Sequence, residues 1–299
     1  MEIKIDENVI SFDSLKIQQH EGLSIIPLKS EPSKTTDILT LKKGFDLGLV
    51  EVKECEVEDV NNILITNNAV TPLILIDGEE VIGAKQNRIV NNTVMVPPKT
   101  TMKISVSCTE RGRWSYKDNT SSDFCESLYF ATSDTRRAKA SAADENSRQQ
   151  IVWNSIDKFS RRCSIQPETS AMADCYEDFN QDQEDYLNYF EISEGQTGLI
   201  AIINNEIRGI ELFNNPEIYR NYHDKIIRSY IIDILDFKED NLVDNDKVSE
   251  IIENISKSEL IQEETEGLGK LIKFSNDYGS GSALIYDDEI IHMPYFKDL

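Results

Sequence analysis

Short apolar runs separated by turn residues dominate the first part of the chain. Four strand-like runs lie in its centre, at residues 73–76, 81–84, 92–96 and 103–108. Residues 48–57 alternate apolar and polar side chains with the period of a half-buried strand. Asp77 and Gly78 form a dipeptide that tight hairpin turns favour, so residues 73–84 are predicted to form a hairpin. This pattern predicts a β-rich region over residues 1–115.

Helical periodicity is concentrated after residue 140. The strongest helix pattern, residues 218–237, carries Ile and Tyr side chains at the spacing of a buried face. Further helices are predicted at residues 142–162, 171–190 (one helix or two short ones) and 248–261. Hairpins are predicted at residues 198–213 and 282–296, and Asn204 and Asn205 form the turn of the first. The predicted fold class is α+β, with mixed or antiparallel β-sheets built from hairpins and helices mainly in the C-terminal half.

The three predicted hairpins resemble one another in sequence. LILIDGEEVIGA, LIAIINNEIRGIELF and ALIYDDEIIHMPYF each combine an apolar strand, a turn of Asp, Asn or Gly, an acidic residue and a second strand. The similarity indicates either an internal duplication or strands of a shared sheet. Turn chemistry alone also produces such patterns, and this simpler explanation is favoured.

A polar segment separates the two halves of the chain. Residues 116–140 are rich in Ser, Thr and Asp, a composition typical of a linker or a loop. We predict one domain over residues 1–299, with two sub-domains inside it. These would be a β-rich part over residues 1–115 and an α+β part over residues 141–299, joined by residues 116–140.

Composition narrows the classes of partner and site. The net charge of −23 argues against nucleic acid as a partner, because nucleic-acid-binding proteins present a basic face. Five cysteines without a CxxC pair argue against a disulfide framework and a zinc site, and the three histidines lack metal-ligand spacing. No run approaches the roughly 18 apolar residues of a membrane span. We expect a cytoplasmic protein with no membrane partner, no metal and no cofactor.

Polar residues interrupt the strands of the central region and provide the candidate chemistry. Glu80 follows the predicted turn and is a candidate general base or ribose-hydroxyl acceptor, or else a solvated turn residue. Lys85, Gln86, Asn87 and Arg88 are poor strand formers. Their donors suit phosphate, sugar or base groups of a ligand. A polar bulge that ties loops together by hydrogen bonds explains them equally well.

A second polar cluster follows the strand at residues 103–108. Glu110 is a candidate base, Arg111 and Arg113 could frame an anion pocket, and Trp114 could stack on a nucleobase or cap the core. Cys108 is more readily explained as a buried strand residue than as a nucleophile. His292, on the last predicted strand, is expected to be a satisfied core or edge histidine. No phosphate-binding loop, nucleophile elbow or HExxH motif is present.

The segments EEVIGAKQNRIVNNTVMVPP and VSCTERGRW resemble the ADP-ribosylglycohydrolase- and rhodanese-phosphatase-superfamily-associated protein domain family. Similarity extends to QIVWNS and to the closing IHMPYF, so it covers most of the chain. The resemblance implies an association with ADP-ribose and NAD-linked systems. It places the family's motif residues at Glu80, Gly83, Lys85–Arg88, Cys108, Glu110, Gly112, Arg113 and Trp114.

Two functions are compatible with these residues. In the first, the protein binds, or binds and processes, a small-molecule nucleotide such as ADP-ribose or NAD: Arg88 and Arg113 hold phosphate, Trp114 stacks, and Glu80 or Glu110 acts as base if there is turnover. In the second, it is a non-catalytic scaffold or nucleotide-sequestering module whose motifs are structural. Missing metal ligands and nucleophile favour binding over catalysis. Homo-oligomer formation is left open.

Overall fold

The computed structural model describes residues 1–31, 33–34, 37–55, 59–110, 123–140, 142, 145–162, 171–178, 180–234 and 244–298. The strands in these residues are β1 (Glu2–Ile5), β2 (Asn8–Ser14), β3 (Gln18–His20), β4 (Leu23–Ser30), β5 (Leu39–Thr40), β6 (Val50–Glu54), β7 (Asn62–Asn67), β8 (Leu73–Leu75), β9 (Glu79–Gly83), β10 (Arg88–Val90), β11 (Val94–Val96), β12 (Thr100–Cys108), β13 (Phe124–Phe130), β14 (Gly198–Ile203), β15 (Glu206–Phe213), β16 (Glu259–Glu263), β17 (Lys270–Asn276), β18 (Gly279–Tyr286) and β19 (Glu289–Lys297).

The helices in the same residues are α1 (Leu41–Asp46), α2 (Ser133–Ala140), α3 (Glu145–Arg162), α4 (Met172–Asp178), α5 (Asn180–Leu187), α6 (Pro216–Ile231) and α7 (Asn245–Ser256). A 3-10 turn, Ile232–Ile234, follows α6. These elements confirm the predicted α+β class with largely antiparallel sheets. None of the helices in the described ranges is both long and apolar enough to cross a membrane.

Contacts divide the chain into two compact units, which interleave in sequence. Unit 1 comprises Met1–Thr36, Glu184–Thr265 and Gly269–Leu299, and unit 2 comprises Asp37–Gln183 and Glu266–Leu268. The sub-domains predicted over residues 1–115 and 141–299 stay a prediction.

Unit 1 is built on a ten-stranded sheet with the order β1-β2-β4-β14-β15-β19-β18-β17-β16, in which β3 also pairs with β4. The predicted hairpins at β14–β15 and β18–β19 are confirmed. Their turns place Asn204 and Asn205 at φ 52° and 60°, and Asp287 and Asp288 at φ 50° and 59°. Successive positive φ angles match the twist of a two-residue hairpin, and Asn and Asp tolerate them.

Two helices of unit 1 follow their sequence patterns closely. Asn215 caps α6 by accepting the backbone N–H of Glu217, and Pro216 occupies the first turn. The apolar side of α7 joins the core of the sheet through Val248, Ile251, Ile252 and Ile255. The helix predicted over residues 248–261 is wrong at its end, because residues 259–261 belong to β16. Residues 235–237 of the other predicted helix lie outside the described residues.

Unit 2 contains a six-stranded sheet with the order β13-β9-β10-β12-β7-β6. A bridge between Lys53 and Asp123 links its two edges, so the sheet curls until they meet. Its interior is apolar and includes Val52, Ile63, Val81, Val90 and Val106. A second sheet, β11-β8-β5, is mixed, because β5 and β8 are parallel.

The hairpin predicted over residues 73–84 is wrong. Gly78 takes φ 83°, as the turn dipeptide indicates, but the flanking strands belong to different sheets. β8 pairs with β11 and β5, whereas β9 pairs with β10 and β13. A turn signal is local and does not specify which strands pair. The backbone of β8, which is buried along its whole length, therefore forms its hydrogen bonds with β11 and β5 instead of β9.

The linker predicted over residues 116–140 is wrong for its described part, which forms β13 and α2. Residues 116–122 lie outside the described residues. The polar composition misled because several polar side chains there are buried, among them Ser127, Arg136 and Lys139. A polar segment indicates a loop only where its side chains face water.

Candidate functional site

The tetrapeptide from Lys85 to Arg88 forms the connection between two paired strands of unit 2. β9 and β10 are antiparallel, with Arg88 opposite Val81 and Ile89 opposite Glu80. Residues 84–87 form the bend between them, and Ala84 takes φ 42°. Lys85 is half-buried in this bend, whereas the three residues that follow it are buried.

This bend lies directly against Glu110, at the start of the second predicted cluster. The side-chain amide of Gln86 donates to the backbone oxygen of Glu110 at 2.8 Å, and the backbone N–H of Asn87 approaches Glu110 Oε2 at 3.4 Å. The backbone N–H of Thr109 donates to the oxygen of Asn87 at 3.0 Å. The structure therefore brings together residues 85–88 and Glu110. Arg111, Arg113 and Trp114 lie outside the described residues.

Arg88 points into the curled sheet, on the same side as Val81 and Cys108, the residues opposite it in the neighbouring strands. Its guanidinium is fully buried. Nη1 donates to Gln86 Oε1 at 3.0 Å, and Nη2 lies 3.7 Å from Glu54 Oε1. The same Glu54 oxygen accepts the backbone N–H of Lys85 at 3.2 Å. Glu54 thus links the buried guanidinium of Arg88 to the backbone of the bend. Its negative charge also compensates the positive charge of Arg88, which would otherwise be costly to bury.

Glu80 lies on the opposite side of the sheet and is also fully buried. Its Oε1 accepts the hydroxyl of Thr109 at 2.8 Å, and its Oε2 accepts the hydroxyl of Ser127 at 2.7 Å. A buried carboxylate requires such donors, because it loses its hydrogen bonds to water on burial and this loss costs free energy unless protein donors replace them. The arrangement fixes the orientation of the Glu80 carboxylate between β12 and β13.

Thr109, one of the two hydroxyl residues that bind Glu80, belongs to a row of hydroxyl side chains that the sequence analysis missed. Ser105, Ser107 and Thr109, here named the β12 hydroxyl stripe, occupy alternate positions and are all buried. Asn91 joins the first two, donating to Ser105 Oγ at 2.9 Å and accepting from Ser107 Oγ at 2.7 Å. Glu266 accepts the backbone N–H of Ser105 at 2.9 Å. The alternation in ISVSCT was the available signal.

Cys108 lies inside the curled sheet and is buried, which confirms its structural interpretation. Burial raises the pKa of the thiol, and the nearby Arg88 charge opposes this shift. Gln149 of α3 receives the backbone N–H of Cys108 at 2.8 Å and donates to its carbonyl at 3.0 Å. Gln149, absent from the sequence-based candidates, therefore pairs with β12 as a neighbouring strand would.

His292 is a satisfied core histidine, as predicted. It lies in unit 1, and its Nε2 is 3.1 Å from Glu211 Oε2, with both side chains fully buried. Its ring also stacks on Phe213. Among the described residues, no group of His, Cys, Asp or Glu side chains is placed to hold a metal ion.

The comparisons with known proteins give one match. The family model of the ARG and Rhodanese-Phosphatase-superfamily-associated Protein domain matches residues 11–296. The matched range contains every element of the site described above. No curated protein and no solved structure matches the chain.

Proposed function

The chain belongs to the ARG and Rhodanese-Phosphatase-superfamily-associated Protein domain family, and from this premise we propose that it binds ADP-ribose, NAD or a related nucleotide. The proposed site combines the GAKQNR segment, residues 83–88, with the CTERGRW segment, residues 108–114. In this proposal, the abbreviation ARG in the family description stands for ADP-ribosylglycohydrolase. The observation that carries the proposal is the direct contact of Gln86 and Asn87 with Glu110.

This contact supports the proposal because two polar segments meet where each adjoins paired strands of a rigid β-framework. Binding sites built on strands hold their polar groups more accurately than sites on loops alone. Lys85 is the member of the tetrapeptide with an accessible side chain, so it is assigned to a ligand phosphate. Arg111 and Arg113 are assigned to the same anionic group and Trp114 to the base, on their sequence alone.

The buried members of the site receive a supporting role. Arg88 holds Gln86, and Gln86 in turn holds the backbone of Glu110. These residues position the segment that follows Glu110. A base role for Glu80 or Glu110 stays a prediction, and the engagement of both Glu80 oxygens by hydroxyls favours binding without turnover. Four cysteines in the described ranges are free thiols, which supports the cytoplasm as the compartment.

The burial of Arg88, Asn87 and Glu110 also favours the second candidate, a non-catalytic module in which the motif is structural. Substitution of Lys85, compared with that of Arg88, separates the two. If the motif serves structure alone, Arg88→Ala lowers the unfolding temperature and Lys85→Ala changes nothing. If it serves a ligand, Lys85→Ala weakens binding while the fold stays intact.

Thermal-shift and calorimetric titrations with NAD, ADP-ribose, cyclic ADP-ribose and mononucleotides test the proposal. A ligand at about 100 times its Kd stabilises the folded state by about 2.7 kcal/mol, a measurable rise in Tm. Lys85→Ala and Arg113→Ala should each weaken binding by about tenfold or more. Lys158→Ala is the control, because Lys158 forms an exposed ion pair with Asp134 on unit 2.

The outcomes are distinct. If none of these ligands shifts Tm at saturating concentration, the nucleotide proposal is wrong. If Lys158→Ala weakens binding as much as Lys85→Ala, the effect is one of overall charge and the site is wrong. Chromatography of a bound ligand after incubation with the protein decides whether it is converted.

A further inference from the structure

Among the residues that the structure describes, the last strand in the unit 1 sheet order, β16, is paired along one edge only. β16 pairs with β17 on one side, from Glu259 opposite Ser275 to Glu263 opposite Leu271, and no other strand in the described ranges pairs with it. In an antiparallel pair, alternate residues direct their N–H and C=O groups away from the partner. One row of backbone donors and acceptors on β16 therefore faces outward.

The opposite end of the same sheet is covered. β1 packs against α7, and the backbone N–H of Lys4 donates to Ser256 Oγ at 3.1 Å. The β16 end of the sheet differs from the β1 end in the exposure of its side chains as well as in its strand pairing. The first four residues of β16 are exposed, including Leu260 at 42% and Ile261 at 64%.

The exposed edge lacks three of the devices that usually block strand addition, and its two charged side chains are both acidic. Natural sheets protect their edges with Lys, Pro or a β-bulge. β16 contains neither Lys nor Pro, and its register with β17 is regular from end to end. Leu260 lies opposite buried Phe274, so an added strand would extend the apolar core side of the sheet.

Charge determines which strand could be added. Glu259, Ile261 and Glu263 share the outer side of β16, because side chains alternate along a strand. Glu263 is partly compensated by Lys273, whose Nζ lies 2.7 Å from it, whereas Glu259 has no ion-pair partner in the part of the chain that the structure describes. An incoming segment therefore meets an apolar centre between two acidic side chains.

A second copy of the chain does not match this edge. In two-fold antiparallel pairing centred on Ile261, Glu259 of each copy would lie opposite Glu263 of the other. Like charges directly opposite one another destabilise a sheet. Lys or Arg at both of those positions would instead form cross-strand ion pairs, and the net charge of −23 attracts a basic partner further.

We propose that the β16 edge, Glu259–Glu263, binds an extended peptide segment of another protein, with an apolar centre and basic residues on both sides, by strand addition. Backbone hydrogen bonds to β16 supply the binding and the two glutamates supply the selection. This site uses residues of unit 1 alone and is independent of the proposed nucleotide site in unit 2.

The test uses the full chain and a labelled probe peptide, acetyl-Lys-Val-Val-Thr-Lys-amide, in fluorescence anisotropy at low ionic strength. Hydrogen exchange with mass spectrometry locates the bound peptide. We expect binding that weakens with salt, together with slowed exchange of alternate amides in β16. Glu259→Lys should weaken binding by about tenfold. Glu253→Lys, at an exposed position on α7, makes the same change in net charge and should leave binding within about twofold.

Each contrary result overturns the proposal. No binding at about 1 mM peptide excludes strand addition of functional strength. Equal binding of a peptide with Glu in place of both Lys, or equal weakening by Glu259→Lys and Glu253→Lys, excludes selection by the β16 glutamates. Protection of β16 amides that depends on protein concentration, without peptide, identifies a second copy as the occupant. Thermal unfolding confirms that each variant is folded.

Discussion

Arg136 holds the carboxylate of Asp77 through two parallel hydrogen bonds, Nε to Oδ2 and Nη2 to Oδ1, each 3.0 Å long. The Arg136 side chain is completely buried. We predict that Arg136→Ala lowers the free energy of unfolding by about 3 kcal/mol, because it leaves a largely buried carboxylate without its counter-ion. Urea unfolding followed by circular dichroism measures the loss.

The control is a more exposed ion pair that joins α3 to α2, the helix that carries Arg136. Lys158 Nζ lies 2.9 Å from Asp134 of α2, and the Lys158 side chain is 62% exposed. Lys158→Ala should cost less than about 1 kcal/mol, as exposed pairs do. Equal losses in Arg136→Ala and Lys158→Ala would show that the Asp77 pair does not anchor α2.

The same pair shows why part of the fold escaped prediction. Asp77 was correctly placed in a turn from its dipeptide with Gly78, but a turn signal contains no information on a distant Arg. Arg136 lies in a segment whose composition indicated a linker. In contrast, the hairpin turns at Asn204–Asn205 and Asp287–Asp288 were predictable, because both the turn and the strand pairing are local.

The buried Glu80 carboxylate depends on its two hydroxyl donors. We predict that Thr109→Val lowers the free energy of unfolding by about 1.5–3 kcal/mol, because a hydrogen bond to a charged group is lost while the carboxylate stays buried. Urea unfolding of the single variants and a cycle with Glu80→Leu measure the coupling. Without the carboxylate, the valine should cost much less.

The control for Thr109 lies on β12, the strand that Thr109 directly follows. The hydroxyl of Thr101 contacts that of Thr66 at 2.8 Å in an exposed position. Thr101→Val should therefore change stability by less than about 0.5 kcal/mol. Additive losses for Thr109→Val and Glu80→Leu would refute the coupling between hydroxyl and carboxylate.

Part of the candidate site, like part of the fold, could be predicted from the sequence, and part could not. Proximity of residues 85–88 and Glu110 was predictable from the apolar strands between them, although in the structure it comes from the direct antiparallel pairing of β10 with β12, whereas β11 belongs to the other sheet. The β12 hydroxyl stripe was not, since alternating Ser and Thr are equally typical of a strand with one side in water. Burial of that side depends on elements packed over it, which alternation along one strand does not reveal.

Gln149 completes the hydrogen bonding of β12 at Cys108. We predict that Gln149→Ala lowers the free energy of unfolding by about 1–3 kcal/mol, because the N–H and C=O of Cys108 lose their partners together. Gln150→Ala is the matched control, since the exposed Gln150 donates to Asn154 on its own helix. Amide exchange at Cys108 should accelerate in the first variant alone. Unchanged exchange there would contradict this role for Gln149.

A directed chain of hydrogen bonds surrounds His223 in the core of unit 1. Its Nε2 lies 2.7 Å from the carbonyl oxygen of Phe190, which can only accept, so Nε2 carries the proton. Nδ1 then accepts the hydroxyl of Tyr219 at 2.8 Å, and the Tyr219 oxygen accepts the amide of Gln196 at 2.7 Å. A second proton on the imidazole would remove the Nδ1 acceptor from the hydroxyl of Tyr219.

We predict that this chain makes unit 1 sensitive to acid. Burial lowers the pKa of His223, against the opposing effects of the Phe190 carbonyl and the Asp224 charge. Because the unfolded state then binds the proton more tightly, stability is fully present above pH about 6.5 and falls as the pH decreases toward the folded-state pKa. Urea unfolding at pH values from about 8 to 5 measures this slope, and His223→Gln should reduce it. The matched control is His20→Gln, since the ring of His20 stacks on the exposed Tyr189. A slope unchanged by His223→Gln, or a protein more stable in acid, would refute His223 as the source of the acid sensitivity.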